Sequence, residues 1–518
     1  MNDKRVLLAA ALSAIFLTWY SQTIMRQMRQ PGIQPTQQLP RAFPQASQET
    51  MSIYHIVQED VTYIESDGLK LEIGEKSGSI RHAELKNFLD ATGKTPLKIG
   101  SELPLLQILP GNAALSWRAI ETGQDSVTLE ATNSEGNNYH ITYSINNSNN
   151  LINIELEQLK GTIDNTDIMI INALTRADQL TSRQNILEAV TVSEGRHGEL
   201  KHQRHLGQGR SEKIVPRGTS LLSLSERYFC ESIKPIGQTA SVKILISPAN
   251  WIVTEGRLKL MSQAGSGARA TITVYVGPRD YFYLKRAGFE SAFPIGILGK
   301  IGLIMLTFLG WLAGLVGNYG LAIIIFSGVV TGLMSPFTLL GFRSMKKMQS
   351  LKPQIDRIMA KQKDDPQRSN RELFALYKTH KVSPLSGCLP MFIQFPVFIA
   401  LFQAISHYVE LRGRSFLWIK DLSLPDHMAK LPFSVPILGE HLNALPVIMA
   451  AAMYVQTKMS QASMAIDPNN PSAKMMSGPM MSVLFGVMFY QFPSGLVLYW
   501  LTNSLFSLAV YKASMTTS

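Results

Sequence analysis

The sequence predicts a helical membrane bundle of six transmembrane helices joined to an all-β sandwich. Two patterns carry this. Stretches with no Asp, Glu, Lys or Arg recur at Val6–Met25, Gly320–Phe342, Leu389–Tyr408, Asn443–Val455, Ser477–Phe492 and Gly495–Val510. About 20 such residues span a bilayer, and the shorter stretches extend by a few residues into their flanks. Between the first and second stretches the apolar residues switch to period two, the signature of half-buried strands. Composition agrees, with 45% hydrophobic and only 17% charged residues, below the usual quarter for soluble domains.

Bulk numbers narrow the classes further. At 518 residues the chain exceeds one ordinary core. The net charge of +11 is local and lies beside apolar segments, so nucleic acid is not the expected partner. Cys230 and Cys388 are too far apart and too different in setting to form a disulfide framework or a zinc site.

Each span has its own justification. Lys4 and Arg5 precede the first one, and Trp19 and Tyr20 sit at its far end like an aromatic belt. A cleaved signal peptide is the alternative, but the small-x-small cleavage pattern is missing. Residues 1–25 are therefore expected to be an uncleaved anchor. Orientation comes from the loops. From Arg343 to Lys381 eleven basic residues, among them Lys346, Lys347, Arg357, Lys361 and Lys363, stand against four acids. The positive-inside rule puts this loop in the cytoplasm. With six spans, both termini are cytoplasmic, including the tail 513–518, and the β region is periplasmic. The stretch Ile295–Val316 is apolar except for Lys300. As a seventh span it would turn the basic loop outward, so 291–317 is expected to be an interfacial amphipathic helix on the outer face.

Residues 26–50, rich in Gln and Pro, read as a flexible linker. In 51–290, Leu69, Leu71 and Ile73 alternate with Lys70 and Glu72. The series Val127–Leu129, Ile141–Tyr143–Ile145 and Ile152–Ile154–Leu156 behave alike, separated by turn signals such as Asp67-Gly68 and Glu135-Gly136. Many short strands with such turns predict an antiparallel sandwich. His197, His202 and His205 form the densest histidine cluster, inside a basic stretch that reads as an exposed loop rather than a metal site. Gly265-Ser266-Gly267 lacks the Lys-Ser/Thr of a phosphate loop and reads as a hairpin turn. No nucleophile–base pair stands out, so catalytic residues, cofactors and metals are not expected.

Polar residues inside spans are costly and therefore informative. Ser327, Thr331 and Ser335 recur at i, i+4 and i+8 on one face of the second span, and Tyr499, Asn503 and Ser507 do so in the last. Gln394 and Gln403 add amides to the third. One reading is helix–helix glue, strengthened by the small-xxx-small pair Gly328 and Gly332. The other is a shared wet groove. In the basic loop 343–381, Met345, Met348, Leu351, Ile355, Ile358 and Met359 mark a helical stripe that Asp365-Pro366 breaks. Ser369 with Glu372 then reads as a capping box for a second helix carrying Leu373, Leu376 and Tyr377. This predicts a helical hairpin, basic outside. Sixteen of the 23 methionines lie from Met334 onward, where their soft side chains suit either adaptable apolar contacts or lipid.

Several motifs stand in a recognisable order: Asn318-Tyr319-Gly320, the basic hairpin, Ser383-Pro384-Leu385-Ser386-Gly387-Cys388-Leu389-Pro390, Gln394-Phe395-Pro396, Trp418-Ile419-Lys420-Asp421-Leu422, and Phe492-Pro493-Ser494-Gly495 leading into Leu496-Val497-Leu498-Tyr499. Together they resemble the YidC membrane protein insertases over 318–512, and the anchor with a large periplasmic domain resembles the Gram-negative branch. The resemblance implies a five-helix insertase core and a polar groove open to cytoplasm and lipid, with a hairpin that receives substrates. It also implies a β-supersandwich outside, and as partners nascent membrane proteins, the Sec translocon, ribosomes and membrane lipids. One position departs. The family's arginine in the second span corresponds to Thr331, its nearby hydroxyl to Ser327, and its aromatic pair in the last span to Tyr499 and Trp500.

The expected mechanism involves no covalent chemistry. A groove of Ser, Thr, Gln and Asn lowers the cost of carrying a polar tail partway across. Burial of the substrate's apolar segment in lipid, about 25 cal/mol per Å², then drives the step. A secondary transporter predicts internal repeats, which are not visible, and an anchored periplasmic enzyme needs a catalytic constellation in 51–290. A non-inserting folding and assembly chaperone is the stronger alternative.

Overall fold

The computed structural model describes residues 59–516, apart from 91–92, 101–103, 111–113, 147–148, 161–166, 176–186, 195–199, 207–210, 237–239, 248–250, 260, 264–266, 294, 362–365, 381, 383–388, 436–438 and 462–477. The expected anchor, the linker, His197, Lys363 and Cys388 therefore lie outside the described residues. The chain divides into two compact units, Met1–Pro294 and Ile295–Ser518.

In the first unit every strand pairing is antiparallel. One run joins Val61–Glu65, Leu69–Gly74, Ile80–Leu89, Leu106–Pro110, Asp167–Thr175, Trp251–Lys259 and Ala240–Ser247. A second joins Arg118–Thr122, Ser126–Thr132, Asn138–Asn146, Leu151–Lys160, Gly267–Pro278 and Phe229–Pro235. The strand Ser211–Ser225 belongs to both. Its first half, Ser211–Val215, pairs with Ala240–Ser247, and Leu222–Ser225 pairs with Phe229–Pro235. The register shifts between Val215 and Thr219, where Gly218 takes φ +116. That conformation favours a residue without Cβ. The predicted alternation holds, since Leu69, Leu71, Ile73, Ile141, Tyr143, Ile152, Ile154 and Leu156 are all fully buried.

One expectation in this unit needs revision. The stretch with His202 and His205 is a strand, Leu200–Leu206, rather than a loop. Around Gly265-Ser266-Gly267, Met261–Gln263 does pair with Gly267–Pro278 as the arms of a hairpin.

The unit closes on α1 (Tyr281–Arg286), capped by Asp280, whose side chain accepts the Phe282 N–H. Just before it, Arg279 meets Glu188, which also pairs with Arg204. Burial alone would raise the Glu188 pKa, but the two guanidinium groups outweigh it and lower it to about 2.

The second unit is helical. Its elements are α2 (Ile297–Val316), α3 (Tyr319–Ser350), α4 (Lys352–Lys361), α5 (Pro366–Thr379), α6 (Leu389–Ile405), α7 (Ala444–Gln461), α8 (Gly478–Phe489) and α9 (Ser494–Thr516). By length and composition, α2 and Tyr319–Gly341 of α3 qualify as membrane spans among the described residues. Among the described residues the other expected spans do not meet that criterion, so the count of six stays an expectation from the sequence. Gly317, at φ +70, ends α2, and Asn318 starts α3 by accepting the Leu321 N–H. Phe308 and Phe326 then meet at 6.0 Å across the turn. Gly302 lets α2 approach α6, because a Cβ there would lie 2.6 Å from the Ala400 carbonyl oxygen. Most outward residues of α2, such as Ile297, Ile304, Trp311 and Leu315, are apolar too, with Lys300 and Thr307 as exposed polar ones. That face is suited to lipid rather than water.

The basic loop is a hairpin of α4 and α5. Leu351, Ile355 and Val382 form its core, flanked by Met359, Leu373, Leu376 and Tyr377. Its boundaries differ from the pattern. Pro353 cannot donate a backbone hydrogen bond, and the stripe breaks at Leu351 instead of running on. Pro366 is the first residue of α5, a position where proline's missing N–H costs nothing, so Ser369 and Glu372 lie inside the helix instead of capping it.

Candidate functional site: a polar seam between three helices

Thr331 lies twelve residues after Tyr319 and ten before Gly341. At about 1.5 Å per residue this puts it near the middle of the apolar stretch. Its hydroxyl is 2.7 Å from the Ser327 carbonyl oxygen one turn earlier and 2.8 Å from the Asn503 side chain on α9. A threonine has one hydroxyl proton. Donating it to the backbone leaves lone pairs for the Asn503 amide NH2, so one amide orientation satisfies both contacts. Ser327 repeats the arrangement: its hydroxyl donates to the Ile323 carbonyl at 2.7 Å and receives Thr502 at 2.8 Å. On α6, Gln394 donates to the Tyr499 hydroxyl at 2.6 Å. Two adjoining turns of α3 are thus bound to α9, and α9 to α6, by side chains without formal charge.

Burial grades the seam. Ser327 and Tyr499 are fully buried and Thr331 is 5% exposed, whereas Gln394 and Asn503 are half-buried. Gln394 and Asn503 are therefore the polar members a passing segment could touch without helix separation. The remaining predicted residues lie elsewhere. Ser335 donates to the Gly332 carbonyl within its own helix. Trp500 joins an aromatic cluster with Phe398, Phe485 and Phe489, its ring centroid 5.0 Å from that of Phe398. Gly328 sits beneath Phe506, while Gly332 has no such neighbour. Thr502 was missed by the sequence reading; its adjacency to Asn503 and its distance of three from Tyr499 were the available signals.

Of the predicted hairpin cations, Lys347, Arg357 and Lys361 are exposed, while the Lys346 side chain lies outside the described residues. A second polar knot stands beyond the other end of α3. Asp426 accepts the Trp418 indole N–H at 3.2 Å and the Leu445 N–H at 2.8 Å, which satisfies a donor in the first turn of α7. Asn443 links to Tyr490 through both its backbone N–H and its side chain.

The family model described as "60Kd inner membrane protein" matches residues 311–516. The membrane protein insertase YidC of Geobacter sp. (strain M21) is 33% identical over 408 residues, covering 76% of this chain and 70% of that protein. The chain belongs to the YidC membrane protein insertase family. Within that family, the YidC of Geotalea daltonii is 28% identical and aligns over 98% of both chains. A crystal structure of an active YidC insertase with its first transmembrane domain resolved covers 90% of this chain and 96% of its own, at 20% identity and a TM-score of 0.38. An inner-membrane insertase with a large β domain is thereby the general assignment for this YidC-family chain, and Thr331 is the residue at the centre of its seam.

Proposed function

We propose that this protein moves transmembrane segments of nascent proteins from the cytoplasm into the inner membrane along the polar seam, alone or beside the Sec translocon. The observation that carries this reading is the line Ser327, Thr331, Asn503, Tyr499 and Gln394 at mid-depth, partly open at its Gln394 and Asn503 members. Uncharged hydrogen-bonding groups there lower the cost of a polar tail without tying up a fixed charge. The exposed cations of α4 and α5 support a cytoplasmic hairpin that meets ribosome-bound chains and anionic lipid. In this topology the β domain is periplasmic, both termini are cytoplasmic, and α2 lies along the outer leaflet with its apolar face toward lipid.

Photocrosslinkers at Gln394 and Asn503 test the reading during synthesis of a small membrane protein. Adducts with the entering segment are expected at both sites. A seam that never reacts, while a probe at outward-facing Val329 does, would falsify passage along it. The saturation of Ser327 and Thr331 by α9 favours a second reading, in which the seam only locks helices and the protein folds clients already in the membrane. Depletion separates the two, because the second predicts normal insertion of small clients with defective folding.

A further inference from the structure

After α6 the chain makes a tight reversal in which Phe416 and Ile419 exchange both backbone hydrogen bonds at 2.9 Å. The two residues at its tip are apolar and outward: Leu417 is 75% exposed and Trp418 39%. Leu417 also adopts φ +52, the left-handed region that a branched side chain rarely enters. A glycine would relieve the backbone there, so the position keeps a large apolar side chain against local preference.

The tip is braced at a defined level. Asn318 donates to the Ser415 carbonyl at 3.4 Å, and the Phe416 ring fills the space where a Cβ on Gly320 would lie. The reversal is therefore fixed to the first residues of α3, where its apolar stretch begins. Trp418 has its indole N–H already bound to Asp426, so its ring can meet hydrocarbon without an unsatisfied donor. Exposed Arg414 and Lys420 flank the pair, and the Arg414 guanidinium rests over the Tyr319 ring at 5.7 Å.

We propose that the 415–420 reversal is a lipid-binding wedge, which seats Leu417 and Trp418 among the glycerol and upper acyl groups of the leaflet at the start of α3 while Arg414 and Lys420 meet lipid phosphates. Depth argues for lipid, since a tip tied to the end of an apolar stretch sits where headgroups and aromatic belts meet. Charge argues the same way, because cations beside a small apolar tip match the phosphate layer above the chains. The wedge would set how deeply α3, and with it Thr331, rides in the bilayer. The proposal rests on the membrane reading of α3 but not on transport along the seam.

The test uses the full chain carrying Cys388→Ser and Leu417→Cys, the cysteine bearing a nitroxide, in vesicles of phosphatidylethanolamine with a minority of phosphatidylglycerol. Cys230 stays, because it is buried. Collision with oxygen relative to a water-soluble nickel chelate should be about fivefold higher than for a label at Thr122→Cys, an exposed position in the β domain. Labels at Ser415→Cys and Lys420→Cys should give intermediate ratios, and they keep the test alive if the Leu417 variant folds poorly. Ratios at all three sites equal to that at Thr122 would overturn the proposal. Shielding in native membranes but not in pure lipid would also overturn it, by showing a protein occupant. Because the ratio reads depth alone, a failure of the insertase reading would leave it unchanged.

Discussion

Replacing Thr331 by arginine puts a positive charge at the midpoint of α3, beside Asn503 and Ser327. A carboxylate in a translocating tail at about 5 Å would then gain about 3 kcal/mol at an effective dielectric of 20, and less than 1 kcal/mol in bulk water. The opposing term is the cost of holding the cation there, about 3 kcal/mol on insertion scales and 10 or more for an isolated helix. Thr331 is 5% exposed, yet its polar neighbours include the half-buried Asn503 amide, whose oxygen would accept from the guanidinium. The lower figure therefore applies if α3 and α9 part slightly to admit water. Thr331→Arg is expected to be tolerated and to raise insertion of tails carrying Asp or Glu. A 3 kcal/mol gain corresponds to roughly a hundredfold at most, and partial hydration brings it nearer tenfold. Neutral tails should change little. Purified protein in vesicles, presented with matched substrates bearing zero, one or two acids, measures this directly. Parallel insertion profiles for the two proteins would refute the idea that this position sets charge preference. Aggregation of the variant would instead mark the seam as dry and permanently packed.

Three further outcomes follow from the same geometry. Lys361→Cys, exposed on α4, should resist an impermeant maleimide in intact spheroplasts and react after lysis; prompt labelling would invert the proposed topology. Glu188 has its pKa lowered from 4.5 to about 2 in the folded state. Its roughly 3 kcal/mol of stabilisation is therefore complete above about pH 4.5 and is lost as pH falls toward 2. Glu188→Gln should remove that acid-side slope and leave Arg279 buried without its carboxylate, which a chemical denaturation curve followed by circular dichroism would reveal. Gly302→Val should force α2 away from Ala400 and Ala404, lowering the melting temperature and the yield of a disulfide engineered between α2 and α6, whereas Gly314→Val, with open space at its Cβ, should not.

Much of the architecture was legible because it follows from periodicity. Period two placed Leu69, Leu71 and Ile73 inward, and uncharged length marked α3 before its packing was known. The seam was half legible. Spacing put Ser327 and Thr331 on one face, but only tertiary packing could pair them with Thr502 and Asn503 or turn Trp500 toward Phe398. Helix ends were the weakest part, since Pro353 and Pro366 acted through backbone sterics that an apolar stripe does not record. Glu231 was not readable at all. An acid in the strand Phe229–Pro235 looks like a solvent-facing residue, yet it is fully buried, and burial pushes its carboxyl pKa well above the ordinary range.

The strand Ser211–Ser225, shared by both runs of the β domain, supports them unequally. Ser211–Val215 pairs with Ala240–Ser247, whereas Leu222–Ser225 lies between Phe229–Pro235 and Glu188–Glu194. Peeling Ala240–Ser247 away therefore strips the half before Gly218 and leaves the half after it flanked on both sides. Under mechanical load between its ends, this domain should yield in steps rather than a single rupture, and amides on the two sides of Gly218 should open with different free energies.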